Sequence, residues 1–225
     1  IRDNYGVPHV YAATDPEVAY GFAWAQAEDH FKLIQEGYLA GNGLLGKLIG
    51  LKGAGADFLT QLIQSEETVD KYYNTLDIKF IALVEGFAAG LNAYAKKYPE
   101  QILEKKLFPV TIKKLLRYAQ LQLFISNEAG KLVSGIVNNS LSWPYEIEED
   151  TKGSNLIAIS RSRTGSDETL LAINTHQPLE GPTSWYEAHL VSEEGTNIIG
   201  AAFPGTPCVL TGANEFLGWT HTVNY

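Results

Sequence analysis

The apolar positions of this chain change period once, near its middle. In the first half they recur at helical spacing. "ATDPEVAYGFAWAQAEDHF" opens with Thr14 and Glu17 at the separation of a capping box and carries Pro16 where the first turn of a helix tolerates proline. Its small and aromatic positions, Ala19, Phe22 and Ala23, predict close helix packing. "IKFIALVEGFAAGLNAYAKKYP" sets Phe80, Val84, Phe87, Leu91 and Tyr94 at helical spacing, and Lys96, Lys97 and Pro99 mark its end. "VTIKKLLRYAQLQLFIS" predicts a third helix that closes near Asn127 and Gly130.

From residue 154 onward the apolar runs are short. "SNLIAIS" and "ETLLAIN", joined by the polar "RSRTGSD", predict a hairpin of buried strands. "YEAHLVS" and "NIIGAAF" around "EEGT" predict a second hairpin, and "PCVLTG" and "FLGWTHTV" around "ANE" a third. Between the halves, "SWPYEIEEDTKG" (142–153) is acidic and poor in aliphatic side chains, which predicts an exposed connector where proteolysis concentrates. The layout is α+β: a helical segment over 1–141, the connector over 142–153, and strands over 154–225.

Composition narrows the function classes. Of 225 residues, 45% are hydrophobic and 19% charged, enough for a sizeable core. A net charge of -9 argues against the basic face that a nucleic-acid backbone requires and gives no attraction to an anionic membrane surface. No run of 18 apolar residues is present, so no membrane span is predicted. The single cysteine, Cys208, excludes an internal disulfide. The chain has no methionine and no leader, and "GWTHTVNY" stops inside a strand-like run, so it reads as part of a longer protein.

Several motifs are weak on inspection. "GNGLLGKL" matches G-x-G-x-x-G at Gly41, Gly43 and Gly46, but no strand precedes it, and Leu48 stands where a P-loop needs a hydroxyl. It reads as a loop between helices. The five histidines, His9, His30, His176, His189 and His221, have no metal-ligand spacing. A Ser-His-Asp triad lacks a G-x-S-x-G elbow.

Gly153-Ser154 stands apart by its context. Gly165-Ser166 is the same dipeptide in a hairpin turn, whereas Gly153-Ser154 lies where the connector meets an apolar strand. Cutting the bond before Ser154 would give that residue a free α-amine with a reference pKa of about 8, able to act as base for its own hydroxyl. Gly153, without a Cβ, would let the hydroxyl approach its carbonyl.

At this point the sequence resembles the penicillin acylase family of N-terminal nucleophile hydrolases, nearest the branch of acyl-homoserine lactone, aculeacin and cephalosporin acylases. The resemblance covers essentially the whole chain. "IRDNYGVPHVYA", "YGFAWAQAEDHF" and "GLLGKLIG" resemble the start of the small α-chain; "GSNLIAIS" resembles the processing junction; "LLAINTHQP" resembles the strand and turn that hold an active-site histidine; "FPGTPCVLTGANEFLGWTHTVN" resembles the segment that delivers an oxyanion-hole amide.

The resemblance implies a four-layer αββα sandwich, of which this chain holds the helical part and the first β-chain strands. It implies self-cleavage at Gly153-Ser154, Ser154 as nucleophile with its amine as base, and His176 as a neighbour that orients both. It implies the Val223 backbone N–H as an oxyanion donor, worth about 3 kcal/mol. His221 reads as structural or pocket-lining. Trp24, Phe22, Trp185, Tyr186 and Phe203 are candidates for an apolar acyl pocket, but such residues are more often core, and they are not assigned to a site. The partners implied are a small-molecule amide such as a β-lactam, an acyl-homoserine lactone or a lipopeptide, and the remainder of the chain's own β-chain. No cofactor is implied for catalysis. A structural calcium belongs to some members, with ligands mostly past residue 225. A periplasmic or secreted location also follows by resemblance. Two other readings stand beside this one: a binding domain that kept the fold without the chemistry, and a conventional serine hydrolase, which needs a carboxylate partner for histidine.

Overall fold

The computed structural model describes residues 1–126, 135, 140 and 153–222. The first predicted helix is α1, Asp15–Gly41. Its start is set by the predicted capping box: the Thr14 hydroxyl accepts from the Glu17 N–H, and the Glu17 carboxylate accepts from the Thr14 N–H. The helix kinks at His30, whose φ is -136°.

Around α1 stand α2 (Leu45–Ile49), α3 (Leu51–Leu62), α4 (Ser65–Tyr72), α5 (Ile78–Lys97) and α6 (Ile112–Ser126). The second and third predicted helices are α5 and α6; Asn127 and Gly130, where α6 was predicted to close, lie outside the described residues. Pattern reading assigns no elements to α3 and α4. By length and composition α5 could cross a bilayer, yet its Val84, Phe87, Leu91 and Tyr94 are buried in the core. Gly86 and Gly90, one turn apart on α5, face the carbonyls of Pro16 and Tyr20, and a Cβ at either would run into that backbone. Their absence of side chain lets α5 cross α1 at close range.

The strands are β1 (His9–Ala12), β2 (Asn155–Ile159), β3 (Leu170–Asn174), β4 (Tyr186–Ser192), β5 (Asn197–Ala202), β6 (Thr211–Ala213) and β7 (Gly218–Trp219). All three predicted hairpins form. One sheet runs β1-β4-β5-β6-β7, with β1 parallel to β4 (His9 opposite His189) and the other pairs antiparallel. The helical half therefore lends its first strand to the sheet of the second half. The other sheet is the β2–β3 hairpin alone, with Asn155 opposite Asn174 and Ile159 opposite Leu170. A single helical turn, α7 (Arg161–Thr164), occupies its connection and ends on Gly165 at φ 70°.

The core lies between α1, α5 and the larger sheet. Phe22 is fully buried and reaches both sides, with ring centroids 6.1 Å from Phe87 and 6.0 Å from Tyr186. Polar side chains in this core hold the loop after β5. Gln26, wholly buried, donates to the Thr206 carbonyl and accepts from the Gly205 N–H. The Tyr38 hydroxyl donates to the Gly205 carbonyl, and the Tyr118 hydroxyl to that of Pro204. Both phenols have their pKa raised by burial. A loop fastened this way carries β6, β7 and Thr222 on a fixed base.

One expectation is corrected. The strands β2 and β3 were predicted to be buried, but Leu156, Ile157, Ile159, Leu170 and Leu171 are all exposed. Their apolar character is real, and among the described residues no layer covers the hairpin.

Candidate active site

The hairpin register builds the site. Asn155 stands opposite Asn174, and one step further along the same register sets Ser154 opposite Thr175, beside His176. The His176 backbone N–H donates to Ser154 Oγ at 3.3 Å. The side-chain amides of Asn155 and Asn174 both lie 3.2 Å from His176 Nε2. Two side-chain amides thus converge on one ring nitrogen and fix the orientation of the imidazole. The structure brings His176 beside Ser154, and it reaches the serine hydroxyl through its main chain.

On the other side of Ser154 is Thr222. Its hydroxyl accepts from the Ser154 N–H and donates to the Ser154 carbonyl, each at 3.0 Å. Gly153 and Ser154 are half-buried, while Asn155, His176 and Thr222 are exposed. Gly218, in β7, has no Cβ where Leu171 of the hairpin packs. That contact keeps the two sheets, and with them Ser154 and Thr222, in register with each other.

Support runs back to the helical core. The Trp185 indole N–H donates to the Thr175 hydroxyl, next to His176, and its ring stacks on Phe203 at 4.7 Å. Phe203 begins the loop that Gln26, Tyr38 and Tyr118 hold. Of the five pocket aromatics, Trp185 and Phe203 therefore adjoin the site. Phe22 is core; Tyr186 is buried with its hydroxyl on Asp29 at 2.6 Å; Trp24 bonds Glu28 and packs on Tyr94.

Val223 and the connector from 142 to 152 lie outside the described residues. His221 is exposed beside Thr222. Sequence reading missed Thr222, Asn155 and Asn174. The two asparagines had a usable signal: they are the polar ends of two apolar runs, and a hairpin aligning those runs pairs them.

Other candidate chemistry falls away. The α2 N-terminal N–H groups of Leu45 and Gly46, which a nucleotide phosphate would need, are bonded to the Asp57 carboxylate at 2.8 Å each. His9 and His189 face each other across β1 and β4, with Nδ1 atoms 3.0 Å apart. Among the described residues no group of three or more His, Cys, Asp or Glu side chains is placed to hold a metal ion. Among the described residues the ring partners of His176 are amides rather than a carboxylate, which gives no support to a Ser-His-Asp triad. Cys208 is partly exposed, with its thiol pKa raised by burial.

Comparison with known proteins shows which family the chain resembles in sequence. An acyl-homoserine lactone acylase, PvdQ, of Pseudomonas syringae pv. syringae is 24% identical over 99% of this chain and 33% of its own length. Aculeacin-A acylase of Actinoplanes utahensis is 22% identical over 99% of this chain and 33% of its own length. The chain thus spans about a third of the length of these relatives. A thermostable penicillin G acylase from Alcaligenes faecalis is similar with a TM-score of 0.48 at 20% identity, over 55% of this chain and 70% of that one. The family model of penicillin amidase matches residues 1–225, and the chain belongs to the penicillin amidase family.

Proposed function

We propose that the full-length protein is a self-processing acylase that hydrolyses a linear amide of an N-acylated small molecule through an ester on Ser154. The observation that carries this reading is the setting of Ser154: it follows Gly153 at the mouth of β2, with its Oγ bonded by the His176 N–H and its backbone by Thr222.

In the self-cleavage, Ser154 Oγ attacks the Gly153 carbonyl carbon. The hydroxyl proton passes to the Ser154 nitrogen as the C–N bond breaks, leaving an ester between Gly153 and Ser154 Oγ. Water hydrolyses the ester, which releases the Gly153 carboxylate and frees the Ser154 hydroxyl and α-amine. An amine with a reference pKa of about 8 is partly neutral near pH 7 and can take the Oγ proton in the next attack. The same two half-reactions then serve the substrate: acyl transfer to Oγ with release of its amine, then hydrolysis to a carboxylic acid. The His176 N–H holds Oγ, while the Asn155 and Asn174 amides fix the His176 ring. In this reading Val223 supplies an oxyanion N–H, and the rest of the β-chain supplies the second donor and completes the four-layer sandwich. Candidate substrates are acyl-homoserine lactones, lipopeptides and β-lactams, a range that goes with relatives named as acylases of acyl-homoserine lactones, aculeacin A and penicillin G. Export to the periplasm or medium goes with the reading.

The test is intact mass and N-terminal sequencing of the full-length protein, followed by a panel of N-acylated substrates. The reading expects two chains, one beginning Ser-Asn-Leu-Ile, and amide hydrolysis that Ser154→Ala abolishes together with the cut. A single uncut chain in folded full-length material would overturn it and leave the binding-domain reading.

A further inference from the structure

We infer that Thr222 is a positioning residue for the Ser154 nitrogen, in the self-cleavage and in later turnover; this rests on the acylase reading above. One oxygen, Thr222 Oγ1, holds both ends of the Ser154 backbone unit: it accepts from the N–H and donates to the carbonyl, each at 3.0 Å. A Cβ built on Gly153 would stand 3.8 Å from the same oxygen, so the hydroxyl also borders the residue whose carbonyl is attacked. With the nitrogen and carbonyl pinned, the remaining freedom of Ser154 is rotation of its side chain. The His176 N–H selects one position of that rotation. The two bonds from Thr222 and the one from His176, on opposite sides, thus define where Oγ sits relative to its own nitrogen, one of the conditions of a near-attack arrangement.

The same bond changes meaning once the chain is cut. The freed nitrogen carries two N–H groups and a lone pair when neutral. Thr222 Oγ1 accepts one N–H, which leaves the lone pair available to the Oγ proton, directly or through a water. Without the hydroxyl the amine turns freely about its Cα–N bond, and the lone pair faces Oγ for only part of the time. Thr222 Oγ1 also stabilises the ammonium form more than the neutral one, since a hydrogen bond from a charged donor is the stronger.

The experiment uses the full-length protein with Thr222→Val, Thr222→Ala and Thr222→Ser, each checked by thermal melting. Self-cleavage is followed by intact mass, and kcat and KM are then measured on the mature form. The assignment expects Val and Ala to slow self-cleavage roughly tenfold or more and to lower kcat by a similar factor with KM within about twofold. It expects Ser to stay within about threefold of wild type. Loss of the acceptor also moves the acidic limb of the kcat/KM profile to lower pH in the Val variant, a shift that a packing role would not cause. Wild-type rates in Val or Ala, or a Ser variant as slow as Val, overturn the assignment while leaving the acylase reading intact. So does failure of both Val and Ala to fold, which makes Thr222 a structural residue. A wild-type protein that neither cuts itself nor hydrolyses an amide overturns the acylase reading itself.

Discussion

Two regions of this molecule are written in the same apolar alphabet and end up in opposite surroundings. Around α1, Phe22, Ile34, Leu39 and Phe87 are almost wholly removed from solvent, and even the polar Gln26 in that core has both ends of its amide bonded. In the β2–β3 hairpin, "NLIAI" and "LLAIN" are as apolar, yet Leu156 is 45% exposed and Ile157 58%. The difference lies in what each region packs against. The helix has α5 on one side and the larger sheet on the other, all within this chain. The hairpin carries the candidate nucleophile and closes only the edge of its own layer. Apolar sequence therefore reports that a surface is to be covered, while the covering element can lie outside the segment being read.

The largest expected effect falls in the covered region. Phe22→Ala removes a ring that touches Phe87 and Tyr186 at once. In a site filled from two layers the cavity cannot collapse from either side, and the loss of stability should be about 4 kcal/mol. Denaturant unfolding of the 225-residue chain measures it. A loss below about 1 kcal/mol would mean that the two layers do not close on α1, and the contrast with the hairpin would fail.

A pH titration sharpens the same contrast from the polar side. Burial raises the pKa of Tyr38 and Tyr118 above the ordinary phenol value of about 10. The unfolded chain ionises these phenols from about pH 10 upward, while the folded core keeps them neutral. Their contribution is therefore constant below pH 10 and becomes a growing cost above it, at roughly 1.4 kcal/mol per pH unit for each phenol. Stability measured between pH 9 and 11 should fall with rising pH, and Tyr118→Phe should flatten that fall while costing the Pro204 hydrogen bond at neutral pH. An unchanged slope in Tyr118→Phe would show that this core admits solvent.

How far the sequence reveals all this depends on how local each signal is. The α1 cap, Thr14 with Glu17, is complete within four residues and is legible at once. The α5 stripe and the three hairpins are set by periodicity and turns, and they too are legible. The strand β1 is four residues long, and among the described residues its strand partner is β4, far along the chain, so nothing local announces it. The helices α3 and α4 are obscured by Gly53 and Gly55 and by a polar run, "SEETVDKY". At the site, Ser154 and His176 are visible through the resemblance of their segments to a known family. The contact between them is another matter. That the His176 main chain, and not its ring, bonds Ser154 follows from two asparagines brought together by register. Thr222 is one of two threonines just past the short strand β7, and it is meaningful only once that segment lies beside Ser154.

The smallest expected effect is the one that separates the two regions most directly. Ile157 lies on the hairpin face that also holds Asn155 and Asn174, since residues 155, 157 and 159 alternate with 156 and 158 and pair with 174, 172 and 170. In the 225-residue chain Ile157→Ala removes a side chain that is already more exposed than buried, so little apolar area returns to water and stability should change by less than about 0.5 kcal/mol. In the full-length protein, under the proposed reading, further strands of the β-chain cover that face, and the same substitution becomes a core truncation costing about 2 kcal/mol or more. The cost should also reach the chemistry, because Asn155 precedes it by two residues on the same face and holds the His176 ring. Denaturant unfolding of both lengths, with the variant made in each, compares the two values. Equal small effects would mean that the hairpin stays uncovered even in the complete protein. Equal large effects would mean that it is buried in the short chain already. A small value followed by a large one is what an apolar strand waiting for its second layer requires.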